Sequence, residues 1–371
     1  MKVYFDNAAT TPVDAEVFEV MKPYFTEVFG NPSSIHSYGR QVKAVLEKAR
    51  KQIATILGAK SNQVVFTSGA TEANNLAIRG LVLSKNIERV ITSPIEHHAV
   101  LNTVFDLKNK VEVVLLKVDD LGQIDLNHLQ ELLKEDKATL VSLMHGNNEI
   151  GNLNPIKEIG LMCKEAKAYF HCDTVQTVGL GLVDLNELDI DLLVGSAHKF
   201  YGPKGVGFLI SKIDELRPLV SGGGQERSVR SGTENVPGIA GMATALQKAV
   251  QNKEEGVKAL LELKNYFIAK LTELYPTFTF NGMSADLAHS LPSVVNFSLK
   301  DVDNSMVLFN LDIAGVAVSG GSACSSGALK GSHVLNAIQP SSTDLSLRVS
   351  FGKQNTRAEI DYFFSQLASF L

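Results

Sequence analysis

Short apolar runs recur along the chain and are separated by stretches with helical spacing. "QVVFTSGATEANNLAIRGLVL" reads as a strand, a turn of small residues and a helix. Further strand candidates follow in "ERVITSP", "VEVVLLKV", "ATLVSLMH", "AYFHCDTV", "DLLVGSA" and "GVGFLIS". Helical patterns lie between several of them. "RQVKAVLEKARKQIATILG" closes on Gly58, a helix stop, and "PIKEIGLMCKEAK" has Pro155 near its start. Strands that alternate with helices predict an α/β fold, a mostly parallel sheet covered by helices.

The texture changes after about Pro237. "GIAGMATALQKAVQNKEEGVKALLELKNYFIAKLTELYP" predicts one long helix or a broken pair. Beyond it come "SVVNFSL", a Gly/Ser-rich loop around Cys324, "LSLRVSFG", and a last helix. Thr356 and Glu359 open that helix with the spacing of a capping box. We expect a large domain over residues 15–256. A smaller α+β domain is expected from residues 1–14 and 257–371.

Composition narrows the function classes. The chain has 371 residues, and its formal net charge of -5 with no long basic run argues against direct nucleic-acid binding. No apolar run reaches membrane-spanning length, and the start "MKVYFDNAATTPVD" lacks a signal-peptide core, so a cytoplasmic protein is expected. The three cysteines, Cys163, Cys172 and Cys324, do not make a disulfide framework. Cys163 and Cys172 sit among apolar neighbours and read as core residues. Cys324 has neighbours that cannot build a core, so it reads as a working thiol.

In open α/β sheets, ligands bind beyond the carboxyl ends of the strands. Several polar residues are expected there. Ser68 to Glu72 form a small-residue turn ahead of a helix, an anion site. Asp173 ends "FHCD", with Gln176 just past it. Ser196, His198 and Lys199 end "DLLVGSAHK", and His97 and His98 follow "ITSPIE". A lysine, a buried acid and a phosphate-binding turn match the aldehyde, ring nitrogen and phosphate of pyridoxal 5'-phosphate. His36, His128, His289 and His333 are isolated in the sequence and read as surface or capping residues. No metal site is expected, because no third ligand stands at metal spacing.

The blocks "YFDNAATTP", "TSGATEANNLAI", "EHHAV", "NNEIG", "HCDTVQTVG", "SAHKFYGPKG", "GGGQERSVRSGTEN", "SGGSACSSG" and "LRVSFG" keep one order from about residue 3 to the last helix. Together they resemble the pyridoxal-phosphate cysteine desulfurases of the NifS/IscS type, class-V aminotransferases of fold type I. The resemblance implies that Lys199 binds the cofactor covalently and that Asp173 pairs with its ring nitrogen. It also implies that Gln176 bonds the ring oxygen and that His97 stacks on the ring and moves protons. Ala70, Thr71, Ser196 and His198 hold the phosphate on this reading, and Thr233 reaches it across a homodimer interface. Asn148 lines the site, Arg348 grips the substrate carboxylate, and Cys324 accepts sulfur as a persulfide. His98 stands where the family often has lysine. The reaction implied is L-cysteine to L-alanine, with sulfur passed to an iron–sulfur scaffold or a tRNA thiolation enzyme. The long "SGSAC"-like loop resembles the IscS/NifS branch and disfavours a selenocysteine lyase. An aminotransferase of the same fold and a non-catalytic scaffold are the rival readings.

Overall fold

The computed structural model describes residues 1–300, 302, 304–320, 331–339 and 344–371. In chain order its strands are β1 (Val3–Tyr4), β2 (Val64–Thr67), β3 (Arg89–Thr92), β4 (Glu112–Leu115), β5 (Thr139–Met144) and β6 (Tyr169–Asp173), followed by β7 (Leu192–Ser196), β8 (Gly207–Ser211), β9 (Phe278–Phe280), β10 (Val294–Leu299), β11 (Val316–Ala317) and β12 (Leu345–Ser350). Its helices are α1 (Ala15–Met21), α2 (Pro23–Thr26), α3 (Ser37–Ile56), α4 (Ala70–Ser84), α5 (His98–Phe105) and α6 (Leu126–Leu133), then α7 (Ile156–Glu165), α8 (Val236–Gln251), α9 (Lys253–Leu274), α10 (Asn304–Ile313), α11 (His333–Ile338) and α12 (Arg357–Ala368).

The seven apolar runs read as strands make one sheet, in the order β2-β8-β7-β6-β5-β3-β4. β8 pairs antiparallel with both of its neighbours, and the remaining pairings are parallel. The carboxyl ends of β2, β3, β5, β6 and β7 therefore share one edge. The central strands β5 and β7 are buried along their whole length, as a sheet covered on both faces requires. One apolar core lies on each face, joined by residues such as Ile53, Phe66 and Met242 on one side and Leu76, Val100 and Leu209 on the other.

A third core belongs to the chain ends. Val3 and Phe5 pack with Phe267, Phe297, Val349 and Phe363 around the antiparallel sheet β12-β10-β9. The long helical stretch after Pro237 is a broken pair, α8 and α9, interrupted at Asn252. Helix ends follow local chemistry. α12 has the full capping box of Thr356 and Glu359, and His36 caps α3 by accepting from the Gly39 N–H. Gly58 takes φ +69° just past α3, a conformation that suits glycine. No described helix is long and apolar enough to cross a membrane.

Two histidines are buried in or just past the sheet. His171 in β6 is fully buried, with Nδ1 bonded to the Ser142 hydroxyl at 2.8 Å. His145 follows β5. Burial pushes both pKa values down to about 4, with Asp173 opposing the shift at His171. In the unfolded chain they titrate near the ordinary value of about 6.5. Between these values the unfolded state takes up protons that the folded state refuses, so stability falls as pH drops from about 6.5 towards about 4. We expect the denaturant midpoint to be flat just above pH 7 and to fall clearly by pH 5. Each ring contributes up to about 3 kcal/mol across the full window. A midpoint unchanged between pH 7 and pH 5 would contradict this.

Candidate active site

A cleft of about 560 Å³ opens at the carboxyl edge of the sheet. Its wall near β2 is the turn Ser68–Gly69 and the first residues of α4. Gly69 has φ +152°, and a Cβ there would meet only the Ser196 hydroxyl at 3.9 Å, so the space over the helix end is open to a ligand. Gly207 packs beneath it. A Cβ on Gly207 would lie 2.7 Å from the Gly195 carbonyl oxygen and 2.8 Å from the Gly69 Cα. Glu72 braces the turn by accepting from the Ser68 N–H at 2.8 Å and pairing with Arg230 at 2.7 Å. Burial works against ionisation of Glu72, but these contacts hold its carboxyl below the ordinary value. Ala70, Thr71, Ser196, His198 and Lys204 line the same end. Free N–H groups at a helix start, beside a cation, suit an anion.

Asp173 lies deeper, at the end of β6, and is 7% exposed. Its Oδ2 accepts from Asn74 Nδ2 at 2.7 Å, and its Oδ1 accepts from the Val175 N–H at 3.0 Å. These two donors orient the carboxylate without neutralising it, which leaves it suited to a cationic partner. His97 caps α5. Its Nδ1 accepts from the Ala99 N–H at 3.0 Å, so in the neutral ring the proton is on Nε2. Burial, together with Lys199, His98 and His333, lowers the His97 pKa against the pull of Asp173. The ring is therefore neutral near pH 7.

Lys199 stands one turn past β7. Its ammonium donates to the Ala8 carbonyl at 2.5 Å and the Ala9 carbonyl at 2.8 Å. Gln176 Nε2 donates to the same Ala8 carbonyl at 3.0 Å. The amino-terminal segment is held down around them. The Thr11 N–H and hydroxyl both donate to the His198 carbonyl, and His198 Nδ1 is 3.2 Å from the Thr10 hydroxyl. Burial and the neighbouring Lys199 and Lys204 push the His198 pKa down to about 4.

Arg348, in β12, closes the floor and is 1% exposed. It donates to Asp6 at 2.7 Å, to the Ser319 hydroxyl at 3.1 Å and to the Asn148 main-chain carbonyl at 3.0 Å. Its Nε has no partner among the described residues. A substrate carboxylate would meet a guanidinium already oriented by Asp6.

The cleft thus gathers Ala70, Thr71, His97, Asn148, Asp173, Gln176, Ser196, His198, Lys199 and Arg348. Two expected residues are not brought there. Thr233 is exposed and does not line the cleft of its own chain, and Cys324 lies outside the described residues. Asn74 and the Ala8 and Ala9 carbonyls escaped the sequence reading. Asn74 lies in "TEANNLAI", one turn into α4, while the carbonyls leave no side-chain signal. The glycine-rich "GGGQER" has a buried structural part. Glu226 forms two hydrogen bonds to Arg50, at 2.7 and 2.8 Å, and accepts from the Phe66 N–H. His333 is not isolated, because its ring lies 4.2 Å from that of His98. His128 and His289 keep their expected local roles, bonded to the Lys117 N–H and to Asp286.

The donor set fits pyridoxal 5'-phosphate. An amine lies within the cleft, a buried carboxylate lies deeper, and an open helix start stands at the other end. Comparison with known proteins agrees in extent. The family model for class-V aminotransferases matches residues 3–363. The chain is 46% identical to the cysteine desulfurase IscS of Dictyoglomus turgidum, over 97% of this chain and 92% of that protein. It superposes on a solved NifS-like protein with a TM-score of 0.92 and 36% identity, covering both chains completely. A second solved structure, described as SspA in complex with cysteine, matches with a TM-score of 0.83 and 34% identity over 94% of this chain and 99% of that one. With a family model spanning nearly its whole length and a relative of this identity, the chain belongs to the class-V aminotransferase family.

Proposed function

We propose that this protein is a pyridoxal-phosphate-dependent cysteine desulfurase that converts L-cysteine to L-alanine and takes the sulfur onto Cys324 as a persulfide. The observation that carries this reading is the meeting of Lys199, Asp173 and the α4 start in one cleft with Arg348 on its floor. The relatives point the same way. The similar proteins are named cysteine desulfurases, and one solved relative holds cysteine.

Each residue then has a role. Lys199 would bind the cofactor aldehyde covalently, Asp173 would pair with the ring nitrogen and favour its protonation, and Gln176 would hydrogen-bond the ring oxygen. Ala70, Thr71, Ser196 and His198 receive the phosphate at the helix start. The bound cofactor supplies an electron sink next to the substrate α-carbon. Arg348 binds the substrate carboxylate in a charge-assisted pair, with Asn148 beside it. The Lys199 amine is the group placed to move the α-proton, and neutral His97 offers an Nε2–H to the cleft. Cys324 acts as a thiolate. It forms the S–S bond as the carbon–sulfur bond of the substrate breaks, the electron pair of that bond stays with the carbon side, and the carbon side takes up protons and leaves as alanine.

The domain division also belongs to this reading. Residues 15–256 build the sheet and its two cores. Residues 1–14 and 257–371 build the third core, and the break at Asn252 lies close to the boundary. The acceptor of the persulfide is an iron–sulfur scaffold or a tRNA thiolation enzyme. A cytoplasmic setting suits a chain whose Cys163 and Cys172 are buried free thiols.

We propose a homodimer in which Thr233 reaches the partner's phosphate site. Its exposure supports this, as do the large apolar side chains exposed between Phe18 and Tyr38, with Phe25 at 61%, Phe29 at 65% and Ile35 at 91%. The protein should elute at twice the 40.1 kDa chain mass. Ile35→Asp should weaken the dimer, and the monomer fraction should bind the cofactor less tightly. A wild-type monomer with full cofactor affinity would refute the arrangement.

Cys324→Ala tests the chemistry. The variant should still give the spectral change on L-cysteine binding, while sulfide release falls by about two orders of magnitude or more. Unchanged turnover would favour an aminotransferase. A purified protein that is colourless and takes up no cofactor would favour a scaffold.

A further inference from the structure

α11 starts at His333, and its packing centres on the turn that carries His97. Val334 and Ile338 bury their side chains against Ile95 and Ile150. The Ser332 hydroxyl donates to Glu149 Oε2 at 2.5 Å and accepts from the Leu335 N–H at 3.0 Å. His333 Nε2 donates to the Glu96 main-chain carbonyl at 2.8 Å. The His333 ring lies 4.2 Å from the His98 ring, tilted by 38°. His333 therefore holds the residue before His97 by a hydrogen bond and the residue after it by ring contact.

Residues 93–97 are neither strand nor helix, so their orientation depends on such contacts. The sheet side supplies others. Glu96 Oε1 accepts from the Met144 N–H at 2.9 Å, and Asn147 Nδ2 donates to the Ile95 carbonyl at 2.9 Å. No described contact from the sheet holds the Glu96 carbonyl or the His98 ring. The ring partner of His98 is a second histidine, His333.

We propose that His333 is a positioning residue for His97, setting the angle at which His97 presents its Nε2–H to the cleft. The proposal rests on the reading of His97 as the ring that faces the bound cofactor. His97 is faced by Asp173 from β6, by Lys199 past β7, by His98 on α5 and by His333 on α11, and burial with the last three lowers its pKa. Loss of the His333 ring opens the packing around His97 to water and removes one of the groups that lower its pKa, so the His97 pKa rises. The acid side of the rate profile moves with it.

The test uses the full-length holoenzyme and three variants. His333→Ala loses both contacts, His333→Gln keeps a donor for the Glu96 carbonyl, and His333→Phe keeps a ring against His98. We expect His333→Ala to lower kcat about tenfold with little change in KM for L-cysteine, as expected for a misplaced catalytic group. The acid limb of the pH–rate profile should move to higher pH, and the visible absorption of the resting holoenzyme should shift. The Gln and Phe variants should each recover part of the loss. His333→Ala with unchanged absorption and an unchanged acid limb overturns the proposal, even if activity falls. If the Ala variant does not fold, the Gln and Phe variants carry the same comparison, and two wild-type profiles overturn it. His97→Gln separates the two ideas. If it is silent, the reading of His97 fails and takes the proposal with it. If it is damaging while the His333 variants are silent, the positioning role alone fails.

Discussion

The grip of the Ala8 and Ala9 carbonyls on the Lys199 ammonium is the contact on which the rest of the site depends. A lysine at the end of a buried strand must find acceptors or reach water. Here the acceptors come from the first residues of the chain. Those residues are themselves held by the last strand, through Asn7 to the Ser350 carbonyl and through the Ala8 N–H to the Ser350 hydroxyl. The lysine is thus oriented only when both chain ends have folded onto the sheet. The same docking brings Arg348 of β12 to the floor of the cleft, with Asp6 as its ion-pair partner. One long-range assembly step completes the lysine environment and the carboxylate-binding floor together.

The electrostatic pattern follows from the sheet direction. Parallel strands deliver Asp173, Lys199 and the α4 start to one edge, where low-dielectric walls strengthen each charge. Positive groups concentrate near the helix start, in Lys199 and Lys204, while the buried Asp173 carboxylate lies at the end of β6. Neutral histidines fill the space between them, because burial makes the imidazolium form costly at His97 and His198. A cofactor with an anionic end and a basic ring nitrogen matches that polarity end for end.

Much of this was legible from local pattern. Every strand of the large sheet stood out as an apolar run. The inner strands are covered on both faces and need no polar alternation, and the half-exposed edge strand β4 was still marked by its β-branched residues. The Thr356–Glu359 capping box, the stop at Gly58 and Pro155 before α7 were readable because the signals lie within a few residues of their effect. Asp173 and Lys199 were readable because a charged residue after an apolar run is costly without a use. Contacts made by main-chain atoms or between distant segments were not. The Ala8 and Ala9 carbonyls, the Asp6–Arg348 pair and the hold of His333 on the Glu96 carbonyl depend on how remote parts of the chain dock. No periodicity encodes them. Asn74 was hidden for a different reason, since an asparagine on the buried face of a helix has the same local pattern whether or not it orients an acid.

The account stands on a covalent attachment at Lys199, and peptide mapping tests it directly. The purified protein, reduced with borohydride and digested, should carry a single pyridoxyl-phosphate adduct on the peptide containing Lys199, whose amine lies in the cleft beside the Ala8 and Ala9 carbonyls. An adduct on Lys204 or Lys264, or no adduct in protein saturated with the cofactor, would contradict it.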